Sequence, residues 1–257
     1  MTPSDLPELV RYEVDGVVAT ITLDSPANRN ALSSTLCAQL LAHLRTALDA
    51  EGVRVVVLSH TGTVFCAGAD LKESATDKRA TSRDFAAILE TLWVSTKPVV
   101  VRVAGTVRAG GTGLIAAADF AVAAESVNFA FTEIRLGVVP AVISAPLRHT
   151  VVAHALYRLF LTGETFSAEH AVNIGLLTAA VRVGDLDDEV ARIVEMVILA
   201  GPLAWAGTKK LMRGDVPSLA TELVSMQELS VGYFESPEGR EGVRALVARR
   251  TPSWATG

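Results

Sequence analysis

Cysteine is scarce in this sequence. Only Cys37 and Cys66 occur in 257 residues, far apart and in no metal-ligand spacing. That excludes a disulfide scaffold or a cysteine-rich metal site and leaves two reduced, buried thiols. Basic runs are missing too. Twenty-three lysines and arginines stand against 28 acidic residues, for a net charge of −5, a balance that does not suit nucleic acid. A local basic patch for an anionic ligand stays open. No apolar stretch reaches membrane-spanning length; the richest, 190–206, is broken by Arg192, Glu195, Gly201 and Pro202. Residues 1–11 carry Asp5, Glu8 and two prolines and no apolar signal core, so the expected location is cytoplasmic. The histidines offer no metal site: His43 and His60 are isolated, and His149 and His154 lie five apart. Neither Ser/His/Asp nor Cys/His catalysis has a local signature.

What is present suits a soluble globular chain, 50% hydrophobic and 20% charged, long enough for one domain or one and a half. Residues 11–14 and 17–23 flank Asp15-Gly16, a hairpin signal. Leu36, Leu40, Leu44 and Leu48 recur every four residues, which predicts an amphipathic helix over 34–50. The β-branched runs 53–58 and 99–103 read as strands buried on both faces. A glycine-rich loop enters an alanine-rich helix over 110–118, and 120–123 and 128–131 read as short strands. After Val183 the character changes. Four helices are expected, over 185–200, 202–212, 218–234 and 237–248, with Pro202 and Pro237 in first turns. The division is therefore an α/β core over 1–183 and a helical region over 184–257.

Three segments could carry chemistry, and each has a plainer reading. Phe65-Cys66-Ala67-Gly68-Ala69-Asp70-Leu71-Lys72 follows a buried strand, and its small residues allow close backbone approach; it is also what a tight turn capped by Asp70 looks like. Val103-Ala104-Gly105-Thr106-Val107-Arg108-Ala109-Gly110-Gly111-Thr112-Gly113-Leu114 opens a helix whose first N–H groups are unpaired. Its spacing is neither a P-loop nor a GxGxxG turn, and small residues there also serve helix–sheet packing. In Phe129-Ala130-Phe131-Thr132-Glu133-Ile134-Arg135-Leu136-Gly137-Val138-Val139-Pro140, Glu133 stands among apolar neighbours. Burial would raise its pKa toward neutrality; pairing with Arg135 or facing solvent would not.

In this order and at these separations the segments resemble those of the crotonase superfamily, the enoyl-CoA hydratase/isomerase family. Thr162-Gly163-Glu164, Ile174-Gly175-Leu176, Pro237-Glu238-Gly239-Arg240-Glu241-Gly242 and Arg249-Arg250 extend the likeness over nearly the whole chain. The resemblance implies an α/β fold: a spiral of ββα units with a helical C-terminal trimerisation region, assembled as a homotrimer or a hexamer of two trimers. It implies an acyl-CoA thioester substrate, coenzyme A being part of that substrate, with no separate cofactor and no metal. The coenzyme would bend around Ala67, Gly68, Ala69, Asp70 and Leu71. The thioester oxygen would lie between the N–H groups of Ala67 and Gly110, with Glu133 as the proton carrier. Arg29 sits where the family often has a basic residue near the CoA phosphates, and Arg249 stands at the family's C-terminal lysine position, where it would reach a neighbour's CoA. Surface charge is the plainer role for both.

One departure bears on mechanism. Family hydratases carry a second glutamate at the position of Gly113, and no acidic residue occurs between Ala104 and Ala118. The stretch after Pro140 is also altered, reading Ala141-Val142-Ile143-Ser144. Hydration of a 2-enoyl-CoA, the first expectation, divides its work between two carboxylates. Double-bond isomerisation, the alternative, needs one. A CoA-ester binder without catalysis is a third possibility. Gly113 is further expected to open space beside the reacting carbons for a bulky acyl group.

Overall fold

The computed structural model describes residues 7–73, 75–214 and 216–255, with the backbone alone at 75–78 and 216–218. Residues 1–6, and with them Asp5 of the N-terminal segment considered above, lie outside this range.

Two sheets organise the core. The larger has the order β1 (Val10–Asp15), β2 (Val18–Leu23), β3 (Val55–His60), β5 (Val99–Val103), β7 (Phe120–Ala124) and β10 (Ala179–Val181), parallel throughout except for the β1–β2 hairpin. All six residues of β3 are buried, as its unbroken apolar run predicts for a parallel strand covered on both faces. The hairpin loop is Gly16-Val17, one residue later than the sequence signal; Asp15 pairs with Val18, and Gly16 supplies the positive φ of 55°.

The smaller sheet joins β4 (Val64–Cys66), β6 (Thr106–Arg108), β8 (Asn128–Ala130) and β9 (Phe166–Ser167). Each strand of its parallel trio follows a strand of the larger sheet and leads into a helix: β3-β4 into α2 (Ala75–Val94), β5-β6 into α3 (Gly110–Ala117), and β7-β8 through a 3-10 turn (Glu133–Leu136) into α4 (Ala141–Thr150). This is a spiral of ββα units. It matters for function because β4, β6 and β8 are hydrogen-bonded side by side, with Cys66 opposite Val107 and Arg108 opposite Ala130. Neighbouring strands lie about 4.8 Å apart. The residues that leave the three C-terminal ends, from 67, 109 and 131 onward, therefore emerge next to one another.

α1 (Ser34–Asp49) buries Leu36, Leu40 and Leu44. His60 is buried too, and its Nε2 accepts the Ala104 N–H at 3.0 Å, a structural role. The C-terminal helices are α7 (Leu186–Ile198), α8 (Pro202–Arg213), α9 (Val216–Glu235) and α10 (Pro237–Val247), after α5 (Ala153–Thr162) and α6 (Ala168–Asn173). They fold back on the core: α7 packs on β5 and β7, α9 on α2 and α4, and α10 on the Glu133–Leu136 turn. Among the described residues no single helix is long and apolar enough to cross a membrane.

Candidate active site

A cavity of about 520 Å³ sits where the three strand ends converge, roofed by α2, α9 and α10. Its wall includes Ala67, Gly68, Ala69, Asp70 and Leu71 after β4, Ala109 and Gly110 after β6, and Glu133 after β8. The sheet thus brings together three segments that the sequence spreads over more than sixty residues. Arg29 and Arg249 are exposed and do not line it.

Hydrogen bonding sorts the amides in this wall. Ala67 N–H donates to Arg29 O at 3.1 Å, so it is spent. The Gly68 N–H donates to Cys66 Sγ at 3.4 Å, and the Gly111 N–H turns to the same sulfur. Ala69 is different. It forms a parallel bridge with Leu32, whose N–H donates to Gly68 O and whose carbonyl accepts from Asp70 N–H. In such a bridge the central residue's own N–H points away from its partner. Ala69 N–H has no acceptor among the described residues, and Ala69 borders the cavity. Gly110 N–H, first in α3, is one of the amides a helix start leaves unpaired, at the positive end of the helix dipole. The Ala67 N–H expected as a donor is thus engaged by Arg29 O, and Ala69 and Gly110 remain, among the described residues, as amides of this wall without an acceptor.

The backbone is held tightly to achieve this. A Cβ at Gly68, whose φ is 89°, would stand 2.8 Å from the Ala109 Cβ. Ala109 itself has φ 47° and ψ −117°, a conformation unusual for a residue with a side chain. Its N–H donates to Ala130 O at 3.1 Å, which ties the start of α3 to β8. Beneath the loop, burial pushes the Cys66 thiol up to about 12, leaving it an inert hydrogen-bond acceptor.

Glu133 starts the 3-10 turn, partly exposed as a residue because it borders the cavity. Its carboxylate end is enclosed. Oε2 is buried without a hydrogen-bond partner, and no ion pair with Arg135 forms among the described residues. Removal from water pushes its pKa up to about 7, offset in part by its own backbone N–H. The other carboxylates on the wall are engaged. Asp70 accepts from Asn28 Nδ2 at 2.8 Å and Lys72 N–H at 3.0 Å. Glu73 accepts from Ser34 N–H and Oγ, and from Thr81 Oγ1. Glu235 pairs with Arg79. Among the described residues, no cluster of three His, Cys, Asp or Glu side chains could hold a metal ion.

The space expected at Gly113 is filled. Gly113 is buried and does not border the cavity; a Cβ there would stand 2.8 Å from Ile143 Cγ2 and 3.5 Å from Phe85 Cζ. The altered stretch after Pro140 thus places Ile143 where a second catalytic side chain would have to begin. Sequence reasoning missed Leu32, Phe85, Ile143, Val231 and Phe234 as wall residues. They sit in helices or at a helix entry, where only packing decides which apolar positions face a cavity.

The family profile described as enoyl-CoA hydratase/isomerase matches residues 13–257. The chain belongs to the enoyl-CoA hydratase/isomerase family. A crystal structure of an enoyl-CoA hydratase from Mycobacterium avium is 42% identical, with a TM-score of 0.88, covering 97% of this chain and 100% of that one. The 2,3-dehydroadipyl-CoA hydratase of Escherichia coli (strain K12) is 31% identical over 248 residues, 92% of this chain and 94% of that protein. The human mitochondrial enoyl-CoA hydratase domain-containing protein 3 is 28% identical over 254 residues, 95% and 82% respectively. Members of the enoyl-CoA hydratase/isomerase family act on acyl-CoA thioesters, and the spiral of ββα units is the fold the chain shares with its structural neighbours.

Proposed function

We propose that this protein transfers a proton beside the thioester of an enoyl-CoA, with Glu133 as the only proton carrier and the Ala69 and Gly110 amides as the donors that stabilise the enolate oxygen. Taking a proton from the carbon next to a thioester puts negative charge on its oxygen. Two preorganised N–H groups meet that charge without reorganising. A carboxyl whose pKa is near 7 both accepts and returns a proton at neutral pH. No cofactor is required beyond the coenzyme A that the substrate carries.

Of the family's two named reactions, the site favours double-bond isomerisation. The Glu133 carboxylate takes a proton from the α carbon of a 3-enoyl-CoA. The double bond shifts into conjugation, and the same proton is delivered to the γ carbon. The supporting observation is Ile143 over Gly113, together with the engagement of Asp70, Glu73 and Glu235: one free carboxylate fits a one-carboxylate reaction. Hydration, the first expectation from sequence, becomes the second reading. It rests on the hydratase names of the relatives and would require Glu133 to serve both carbons through a water. The buried, unpartnered acid favours catalysis over a role as a binder.

Incubation with 3-hexenoyl-CoA and with crotonyl-CoA tests the ranking. The expected result is a gain of conjugated-enoyl absorbance from the first and little loss from the second. Loss from crotonyl-CoA with no gain from hexenoyl-CoA would reverse it. Glu133→Gln is expected to lower turnover by about 10²- to 10⁴-fold while CoA-ester binding persists. Arg29 and Arg249 as CoA-phosphate contacts, and a trimer or hexamer built through the C-terminal helices, belong to the same proposal. Exposed Leu199, Leu203, Leu211 and Met212 on and beside α8 are consistent with such an assembly.

A further inference from the structure

The Gly110 amide at the cavity wall depends on how one peptide plane is turned. Ala109 sits at φ 47° and ψ −117°, the first central position of a type II′ turn, which glycine normally fills. Its own N–H is fixed to Ala130 O at 3.1 Å. The plane that follows carries Ala109 O and the Gly110 N–H on opposite edges. It can turn about ψ of Ala109 and φ of Gly110, and glycine accepts a wide range of φ. Turned over by half a rotation, it would bring Ala109 to a ψ of about 60°, in the left-handed region that an alanine tolerates better than its present conformation. The Gly110 N–H would then leave the side it now occupies. Local backbone preference therefore works against the donor, and something must hold the plane.

Thr112 is placed to hold it. The residue is fully buried and does not border the cavity. Its N–H donates to Ala109 O at 2.9 Å, and its Oγ1 donates to the same oxygen at 2.6 Å. Together they fill both lone pairs of that carbonyl. Hydroxyl bonds back to a helical carbonyl recur in this chain, at Thr91 and Thr150, where they tie one turn to the next. At Thr112 the accepting carbonyl shares its peptide with an N–H that has no acceptor among the described residues. Turning the plane would break both bonds and strand the Thr112 hydroxyl in the core. We propose that Thr112 is a positioning residue: its hydroxyl holds the Ala109–Gly110 peptide so that the Gly110 N–H is presented to the substrate oxygen. By donating at the carbonyl end it also strengthens the donor at the nitrogen end. This rests on the reading of Gly110 as an enolate-oxygen donor and adds the side chain that keeps that donor in place.

Two readouts on the full chain test this. One is turnover of 3-hexenoyl-CoA or crotonyl-CoA, whichever the parent converts faster. The other is the infrared stretch of an isotope-labelled thioester carbonyl in bound hexanoyl-CoA, a saturated ester with no double bond to move. The parent is expected to shift that band to lower frequency than in water. Thr112→Val keeps the branched shape and deletes the hydroxyl, while Ala109 O retains the bond from the N–H of residue 112. It is expected to lose part of the band shift and to lower kcat about 10- to 100-fold with little change in KM. Thr112→Ser deletes a methyl and keeps the hydroxyl. It should melt lower than the parent yet stay close to it in rate and band position. A threonine that served packing alone would show the reverse order, losing rate in serine and keeping it in valine. Thr112→Ala should show the same losses as valine and replaces it if the valine variant does not fold. Ala109→Gly removes the steric preference for the turned plane, so Thr112→Val should cost several-fold less in that background. A folded Thr112→Val protein with the parent's kcat and band position, or a serine variant no better than valine, would overturn the Thr112 assignment and leave the Gly110 donor standing. A parent that binds hexanoyl-CoA with no band shift would overturn both.

Discussion

Among the described residues Glu133 has no partner for one carboxylate oxygen, and this sets a signature in stability as well as in rate. Its pKa is near 7 in the folded chain and 4.5 for the ordinary side chain. The folded state therefore binds the extra proton between those values. The stabilisation is full below pH 4.5 and is lost as pH rises through 7, by up to about 3 kcal/mol. Urea unfolding at pH 5 and pH 8 should show the parent losing stability relative to Glu133→Gln, whose side chain does not titrate. A loss in the opposite direction would place the carboxyl against a cation, and no difference would place it in bulk water. On the rate side, kcat/KM for isomerisation should rise with pH on a limb centred near 7, because the first step needs the ionised form.

At the scale of elements, one packing contact carries the proposed choice between isomerisation and hydration. The α3 and α4 helices meet through Gly113 and Ile143. Gly113→Glu alone would force its Cβ against Ile143 and cost about 1–3 kcal/mol. Paired with Ile143→Gly, the same substitution gains room for a second carboxylate. The double variant is expected to raise crotonyl-CoA hydration relative to 3-hexenoyl-CoA isomerisation by tenfold or more, a ratio read from the two absorbance changes. The α1 start and α2 are joined in a different way. Glu73 accepts from Ser34 N–H at 2.6 Å and Ser34 Oγ at 2.8 Å, and from Thr81 Oγ1 at 2.9 Å. Glu73→Ala should cost about 1–3 kcal/mol in thermal or urea unfolding, with weaker CoA-ester binding because α2 forms one wall of the cavity.

For the molecule as a whole, the C-terminal helices must stay fastened to the α/β core, since α9 and α10 close the cavity. The fastening is a buried charge cluster. Lys209 Nζ lies 2.9 Å from Asp119 Oδ1 and donates to Leu92 O at 2.9 Å. Arg213 lies 3.0 Å from Asp119, donates to Trp93 O and Ala117 O, and stacks over the Trp93 ring at 4.2 Å. Every charge in the cluster has partners, so removing one member strands the others. Asp119→Ala is expected to destabilise by about 3–5 kcal/mol in chemical unfolding. Protease susceptibility should appear first in the 200–255 region.

Much of this was legible along the chain because it depends on local pattern. The buried runs before β4 and β6, the leucine repeat of α1, the first-turn prolines of α8 and α10 and the order of the three segments all announce themselves at their own positions, since periodicity and turn chemistry act over a few residues. The presence of one acid at 133 and none from 104 to 118 is likewise a fact of sequence alone. What only the tertiary structure decided is direction and occupancy. Whether an amide at 67 or 69 is free depends on Arg29 O and on the Leu32 bridge, nearly forty residues away in sequence. Whether Gly113 opens a space or touches a neighbour depends on Ile143, thirty residues on in another helix. Hydrogen-bond satisfaction and steric exclusion are properties of atoms brought together by folding, and no local stretch of residues encodes them.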